Sequence, residues 1–226
     1  MRGVRVALYY APAADDPLWH RGTEWLGRDP ATEAPCPQPP LPDLAVLTAE
    51  PRRYGFHATL KPPMALRDGI SWDEVVLATR AIAATVPAFE LPALAVAELD
   101  GFLALRETAP SPELQALADA CVAGADHLRL PPGEAELARR RRGGLSPAQQ
   151  ANLLRWGYPF VFATWLFHMT LTRRLSAAEQ DSVRPAAEAW FAPALARRRR
   201  VTDIGLFVQH GAGAAFSLAE RVALTG

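Results

Sequence analysis

"FHATLK" at residues 56–61 and "FHMTLT" at residues 167–172 spell aromatic–His–x–Thr–Leu twice in one chain, with His57 and His168 111 positions apart. Histidine is scarce, since only His20, His127 and His210 complete the set in 226 residues. Side chains in a strand alternate between faces, so residues i and i+2 point the same way. His57 and Thr59 then share one face, opposite Phe56, Ala58 and Leu60. In the second copy His168, Thr170 and Thr172 share a face, opposite Phe167, Met169 and Leu171. Each stretch reads as a strand with an apolar back for a core and a His/Thr front. A titratable ring beside a hydroxyl is suited to phosphate oxygens. If the two halves are related by a pseudo-two-fold, both fronts meet in one cleft.

The surroundings of the motifs repeat as well. "VRVALYYAP" reads as an opening strand, followed by a helix over Pro17–Leu26 that starts behind Asp16 and ends at Gly27. Residues 29–43 hold six prolines and read as an extended connection. Tyr54–Leu60 is strand-like, and Pro62–Pro63 is expected to stop it. Ser71 and Glu74 form a capping box for a helix whose apolar stripe is Val75, Ala78, Ile82 and Val86. Asp100–Gly101 marks a hairpin. Ser111 and Pro112 open another helix, and a helix from Ser146 to Trp156 ends at Gly157 and Pro159. "FVFATWLFHMTLTRRL" reads as one long strand carrying the second motif. A further capped helix follows, with Pro185 inside it, and then a final hairpin. The unit of motif strand, capped helix and Gly-turn hairpin therefore occurs twice. The expected fold is α+β, a single duplicated, two-lobed unit over residues 1–226 with antiparallel sheets, outer helices and motif strands facing a central cleft.

Basic and acidic residues balance at 24 each, so no overall field is expected to draw in nucleic acid or an anionic membrane. Lys61 is the only lysine. Cys36 and Cys121 lack metal-like spacing, and two scattered thiols point to a reducing cytoplasm. The apolar run Val6–Tyr10 is too short for a signal peptide, and no stretch approaches the roughly 18 apolar residues of a membrane span. There is no HxH, HExxH or CxxC spacing, no Walker A loop and no GxGxxG, so neither a metal nor a cofactor is expected.

The pair His57-Ala58-Thr59-Leu60 and His168-Met169-Thr170-Leu171 resembles the signature of the two-histidine (2H) phosphoesterase superfamily. The longer strings "RRYGFHATLKPP" and "FVFATWLFHMTLTRRL" resemble a bacterial branch associated with phosphonate-metabolism genes. That resemblance implies a metal-independent phosphodiesterase acting on a cyclic or small linear phosphodiester, with a cyclic ribose phosphate the favoured substrate. His57 and His168 would be the catalytic acid and base, in an order the sequence leaves open, and Thr59 and Thr170 would donate to the non-bridging oxygens.

Tyr54 and Lys61 flank the first motif and are candidates for the cleft rim, as is Tyr158. Arg173 or Arg174, directly after the second motif, is a candidate phosphate clamp through its guanidinium fork. The run Arg139–Arg142 reads as a charged loop before Gly143–Gly144, and Arg197–Arg200 as a helix end. An enzyme acting on RNA 2′,3′-cyclic ends and a non-catalytic module holding a phosphorylated ligand are the alternatives.

Overall fold

A computed structural model of the chain describes residues 3–141 and 144–226. The alternating opening stretch forms β1 (Arg5–Tyr10), and its two faces enter two different cores. Val6, Leu8 and Tyr10 belong to the large core, while Ala7 and Tyr9 join Trp19, Phe207 and Phe216 in a smaller aromatic one. Pro17–Leu26 is α1, capped by the Asp16 carboxylate accepting from the Leu18 amide and closed by Gly27 at φ 80°. Two single turns, α2 (Leu44–Leu47) and α3 (Ala49–Arg52), lead into β2 (Ala58–Ala65), which carries the first motif.

The Ser71–Glu74 capping box opens α4 (Trp72–Ala83). Next come β3 (Phe89–Leu91), β4 (Leu94–Leu99) and β5 (Phe102–Glu107), the last two joined at Asp100 and Gly101, whose φ values of 51° and 88° make the tight hairpin turn. Three helices follow: α5 (Pro112–Gly124), α6 (Glu134–Arg141) and α7 (Pro147–Trp156). The second motif contributes β6 (Met169–Thr170) and leads to α8 (Ala177–Leu195), β7 (Arg199–Val201), β8 (Asp203–Gln209) and β9 (Ser217–Ala223).

The architecture is α+β and antiparallel. Seven strands run in the order β4-β5-β6-β2-β1-β8-β9, and β3 pairs with β7 in a separate two-stranded sheet. Both motif strands lie side by side in the middle of the large sheet. The two halves are interleaved around them. The hairpin that follows the first motif, β4–β5, pairs with β6 and is packed by α8. The hairpin that follows the second motif, β8–β9, pairs with β1 and is packed by α4.

Three local expectations change. The long strand predicted around the second motif is short, because the chain before it is taken up elsewhere. Asn152 Nδ2 donates to Pro159 O, Val161 O and Thr164 Oγ1, at 3.3, 3.0 and 3.1 Å, and gathers that stretch into a loop. After Thr170, the amides of Leu171 and Thr172 both turn to Leu103 O, at 2.8 and 3.3 Å. Side-chain anchoring thus overrides β propensity. Thr172 is consequently buried, its hydroxyl accepting from the Leu103 amide at 3.0 Å, while it still lines the cleft that His57 and Thr170 line.

Pro62 and Pro63 do not end β2. The register passes from Val6 opposite Met64 to Leu8 opposite Lys61, so both prolines fall in a bulge where no ladder amide is needed.

The arginine runs are structured where described. Arg139, Arg140 and Arg141 end α6, while Arg142 and Gly143 lie outside the described residues. Arg199 belongs to β7 rather than a helix end, its guanidinium pairing with Asp16 at 3.0 Å and donating to Ala194 O at 2.6 Å.

Candidate active site

Ala58 pairs with Met169, and both face the large core. Carrying that antiparallel register one residue each way sets Thr59 opposite His168 and His57 opposite Thr170, all four on the other face. Directly opposed Cβ atoms lie about 4.5–5.5 Å apart, and diagonal partners such as the two histidines about 7–8 Å apart or less. A proton on His168 opposes one on His57, as this proximity requires.

Each imidazole is held by the same contact. His57 Nδ1 lies 2.8 Å from Gly55 O, and His168 Nδ1 lies 2.9 Å from Leu166 O, in both cases the carbonyl two residues upstream. A carbonyl only accepts, so Nδ1 carries the proton and Nε2 presents its lone pair. Thr59 Oγ1 lies 3.2 Å from His57 Nε2 and donates to it in this tautomer. Beneath His57 the Tyr9 ring stacks at 3.6 Å between centroids. Tyr9 pairs with Thr59 in the sheet, which sets its ring on the same face.

Burial in this aromatic setting lowers the His57 pKa to about 4, against the opposing pull of the Gly55 carbonyl. His168 is also lowered, first by burial and then by the positive charge of Arg106, with Leu166 O acting the other way. Both rings are therefore neutral in the free protein at neutral pH.

A cleft of about 480 Å³ opens over this face, lined by Tyr54, His57, Phe102, Thr170 and Arg173 among others. Tyr54 stacks on Phe216 at 5.4 Å and stands 6.5 Å from the His57 ring. Burial raises the Tyr158 pKa, and Arg140, over its ring at 4.9 Å, acts the other way. Arg173 lines the cleft, but Glu179 holds its guanidinium at 2.8 and 3.3 Å. Arg174 is likewise engaged with Asp100.

Lys61 is not at the cleft rim. Between Leu8 and Tyr9 the register of β1 on β2 shifts, leaving Leu60 as the extra residue of a bulge. A bulge turns the following side chain to the opposite face from the one simple alternation assigns. Lys61 is buried there, donating to Val122 O at 2.8 Å and pairing with Asp126 at 3.7 Å.

Tyr9, Phe102 and Arg106 belong to the motif face without any mark in the sequence. Their only signal is strand register. Among the described residues no group of three or more His, Cys, Asp or Glu side chains is arranged to hold a metal ion, and no helix is long and apolar enough to cross a membrane.

Residues 59–217 match the family described as "Protein of unknown function (DUF1045)". The chain is 44% identical to the "Ribose 1,5-bisphosphate phosphokinase PhnN" of Janthinobacterium sp. (strain Marseille), over 85% of this chain and 44% of that protein. It is 38% identical to the protein of the same name from Laribacter hongkongensis (strain HLHK9), over 97% of this chain and 52% of that protein. The chain thus spans about half the length of these curated relatives. Among solved structures, it is similar to E. coli LigT in apo form, at 16% identity and a TM-score of 0.48, with all of both chains covered.

Proposed function

This chain belongs to the DUF1045 family, and from that premise and its paired motif faces we propose that it is a two-histidine phosphodiesterase hydrolysing a small phosphodiester built on a ribose. One observation carries the reading: two imidazoles, each pinned through Nδ1, stand with two threonines on one face of adjacent strands. A cyclic or linear diester would sit with its phosphorus between the two Nε2 atoms.

His57, enclosed and neutral, takes the proton from an attacking water as the water oxygen bonds to phosphorus. His168, whose ring contact is the more exposed of the two, acquires a proton when the anionic substrate enters and gives it to the leaving ester oxygen as the P–O bond breaks. As water takes its place at His57 Nε2, the Thr59 hydroxyl turns its single proton from that nitrogen to a non-bridging oxygen, and Thr170 donates to another as charge builds there. The scheme requires no metal.

The curated relatives are named for ribose 1,5-bisphosphate, which favours a phosphorylated ribose over an RNA end. The kinase activity in that name is not carried over, because the single lysine is followed by Pro62 and no Walker A loop is present. With the resemblance to the phosphonate-associated branch, these names favour a substrate arising in phosphonate breakdown.

The test is hydrolysis of a panel of cyclic and linear ribose phosphodiesters, with EDTA present, by wild type, His57→Ala and His168→Ala. Turnover in EDTA and a loss of about 10²-fold or more in each variant are expected. Loss on chelation with recovery on adding a divalent metal, or full turnover in either variant, would overturn the scheme.

A further inference from the structure

Among the arginines near the motif face, Arg106, Arg173 and Arg174 differ in how far their charge is already spoken for. Arg173 is held in a two-pronged pair by Glu179 and also donates to Arg174 O at 2.6 Å. Arg174 is paired with Asp100. Arg106 is held less firmly. Among the described residues its Nε is buried with no hydrogen-bond partner, and its ion pair with Glu107, at 3.8 Å from Nη2, lies outside hydrogen-bond range, with Glu107 Oε2 likewise buried and without a partner.

The position of Arg106 follows from the sheet. Ala104 pairs with Thr170 and Leu105 with Met169, so one further step places Arg106 opposite His168. Leu103 and Leu105 enter the large core, which leaves Phe102, Ala104 and Arg106 on the face that carries the histidines and threonines. On the far side Arg106 faces Ala95, a side chain too small to cover it. A row therefore runs across four strands: Arg106, His168, Thr59, Tyr9. The electrostatic effect of Arg106 on His168 agrees with this adjacency.

A buried guanidinium N–H without an acceptor costs free energy, and native structures seldom leave one without a partner. Arginine presents its donors as a fork that matches two oxygens of a phosphoryl group.

We propose that Arg106 is the anion-binding arginine of the motif face, gripping non-bridging phosphoryl oxygens above His168 while Thr59 donates from the other side. The assignment deepens the phosphodiesterase reading and rests on it for the identity of the ligand. It makes the substrate a phosphoryl anion held at its reacting phosphorus by a cation on β5, a strand that neither motif contains.

Inorganic phosphate is the probe. It is titrated into wild type, Arg106→Gln and Arg106→Lys while the ring signals of His57 and His168 are followed by NMR, with thermal unfolding of each variant recorded alongside. Wild type is expected to bind phosphate with shifts at both rings. Arg106→Gln should bind about 10-fold more weakly or worse, the scale of a lost charge-assisted hydrogen bond, and Arg106→Lys should fall between them. Equal phosphate affinity in wild type and Arg106→Gln overturns the assignment. If Arg106→Gln does not fold, Arg106→Lys decides: wild-type affinity without the fork overturns it, and weakened affinity supports it.

The readout needs no turnover, so the two readings fail separately. Arginine-dependent phosphate binding with no diester hydrolysed would keep the assignment and sink the activity. Diester hydrolysis with unchanged kcat/KM in Arg106→Gln would do the reverse.

Discussion

Ala58 of the first motif pairs directly with Met169 of the second, so the two repeats lie side by side with their apolar residues on one face and their polar residues together on the other. The consequence is an exchange of neighbours. Each histidine faces the other motif's threonine across the strand gap, at about 4.5–5.5 Å between Cβ atoms, and meets the other histidine on the diagonal. Thr59 also donates to His57 within its own strand.

Thr59 therefore touches both halves of the proposed chemistry. Thr59→Val is expected to lower kcat/KM by about 10-fold or more, with KM raised and kcat reduced, since one donor to the phosphoryl oxygens is lost. Thr170→Val should have the smaller effect. Steady-state kinetics on the best diester substrate check this, and a larger loss in Thr170→Val would contradict it.

The depressed pKa of His57 has a signed effect on stability. Between about 4 and the ordinary value near 6.5 the unfolded chain binds a proton that the folded chain refuses. Stability from this group is complete above that window and is lost as pH falls through it. Denaturant unfolding at pH 7 and pH 4.5 should show a smaller loss in His57→Gln than in wild type. Parallel losses in the two proteins would show that His57 is not the source.

Lys61 offers a test on the opposite face. Its pKa is lowered to about 8 by burial, against the pull of Asp126. Asp126 keeps Arg129 at 2.8 Å and Arg155 at 2.9 Å if the lysine is replaced. Lys61→Met is expected to leave diester turnover within about twofold of wild type and stability unchanged or raised, as often follows when a buried charge gives way to an apolar group. A collapse of turnover with stability intact would return Lys61 to the cleft.

Gly55 supports His57 from below. It sits at φ +80°, and a Cβ there would meet Pro30 at 2.7 Å. Gly55→Ala is expected to destabilise the fold by about 1–3 kcal/mol and to shift the carbonyl that His57 Nδ1 engages. Denaturant melts measure the first effect, and the His57 ring signals in NMR the second.

What the sequence makes legible is what it settles within a few residues. The Ser71–Glu74 box and the Asp100–Gly101 turn are closed by contacts three or four positions apart, and both are found where their chemistry places them. The α+β alternation and the repeated unit follow from such local signals in series. The face of Lys61 is not legible locally, because it depends on a register shift against β1, some fifty residues away. The length of β6 depends on Asn152 and Leu103, neither in the motif. Arg106 and Phe102 sit in an ordinary-looking hairpin, and only the pairing of β5 with β6 brings them beside His168 and Thr170.

The place of β1 in the sheet bears on how the chain is made. Its two neighbours come from residues 58–65 and residues 203–209. A nascent chain leaving the ribosome carries one open edge of β1 through the synthesis of nearly all the intervening sequence, and pairs it only when β8 emerges. Non-local pairing of this kind slows folding and leaves a strand edge open to wrong partners. The interleaved repeats that bring two histidines together at the centre thus leave the half-made protein dependent on whatever shields that edge in the meantime.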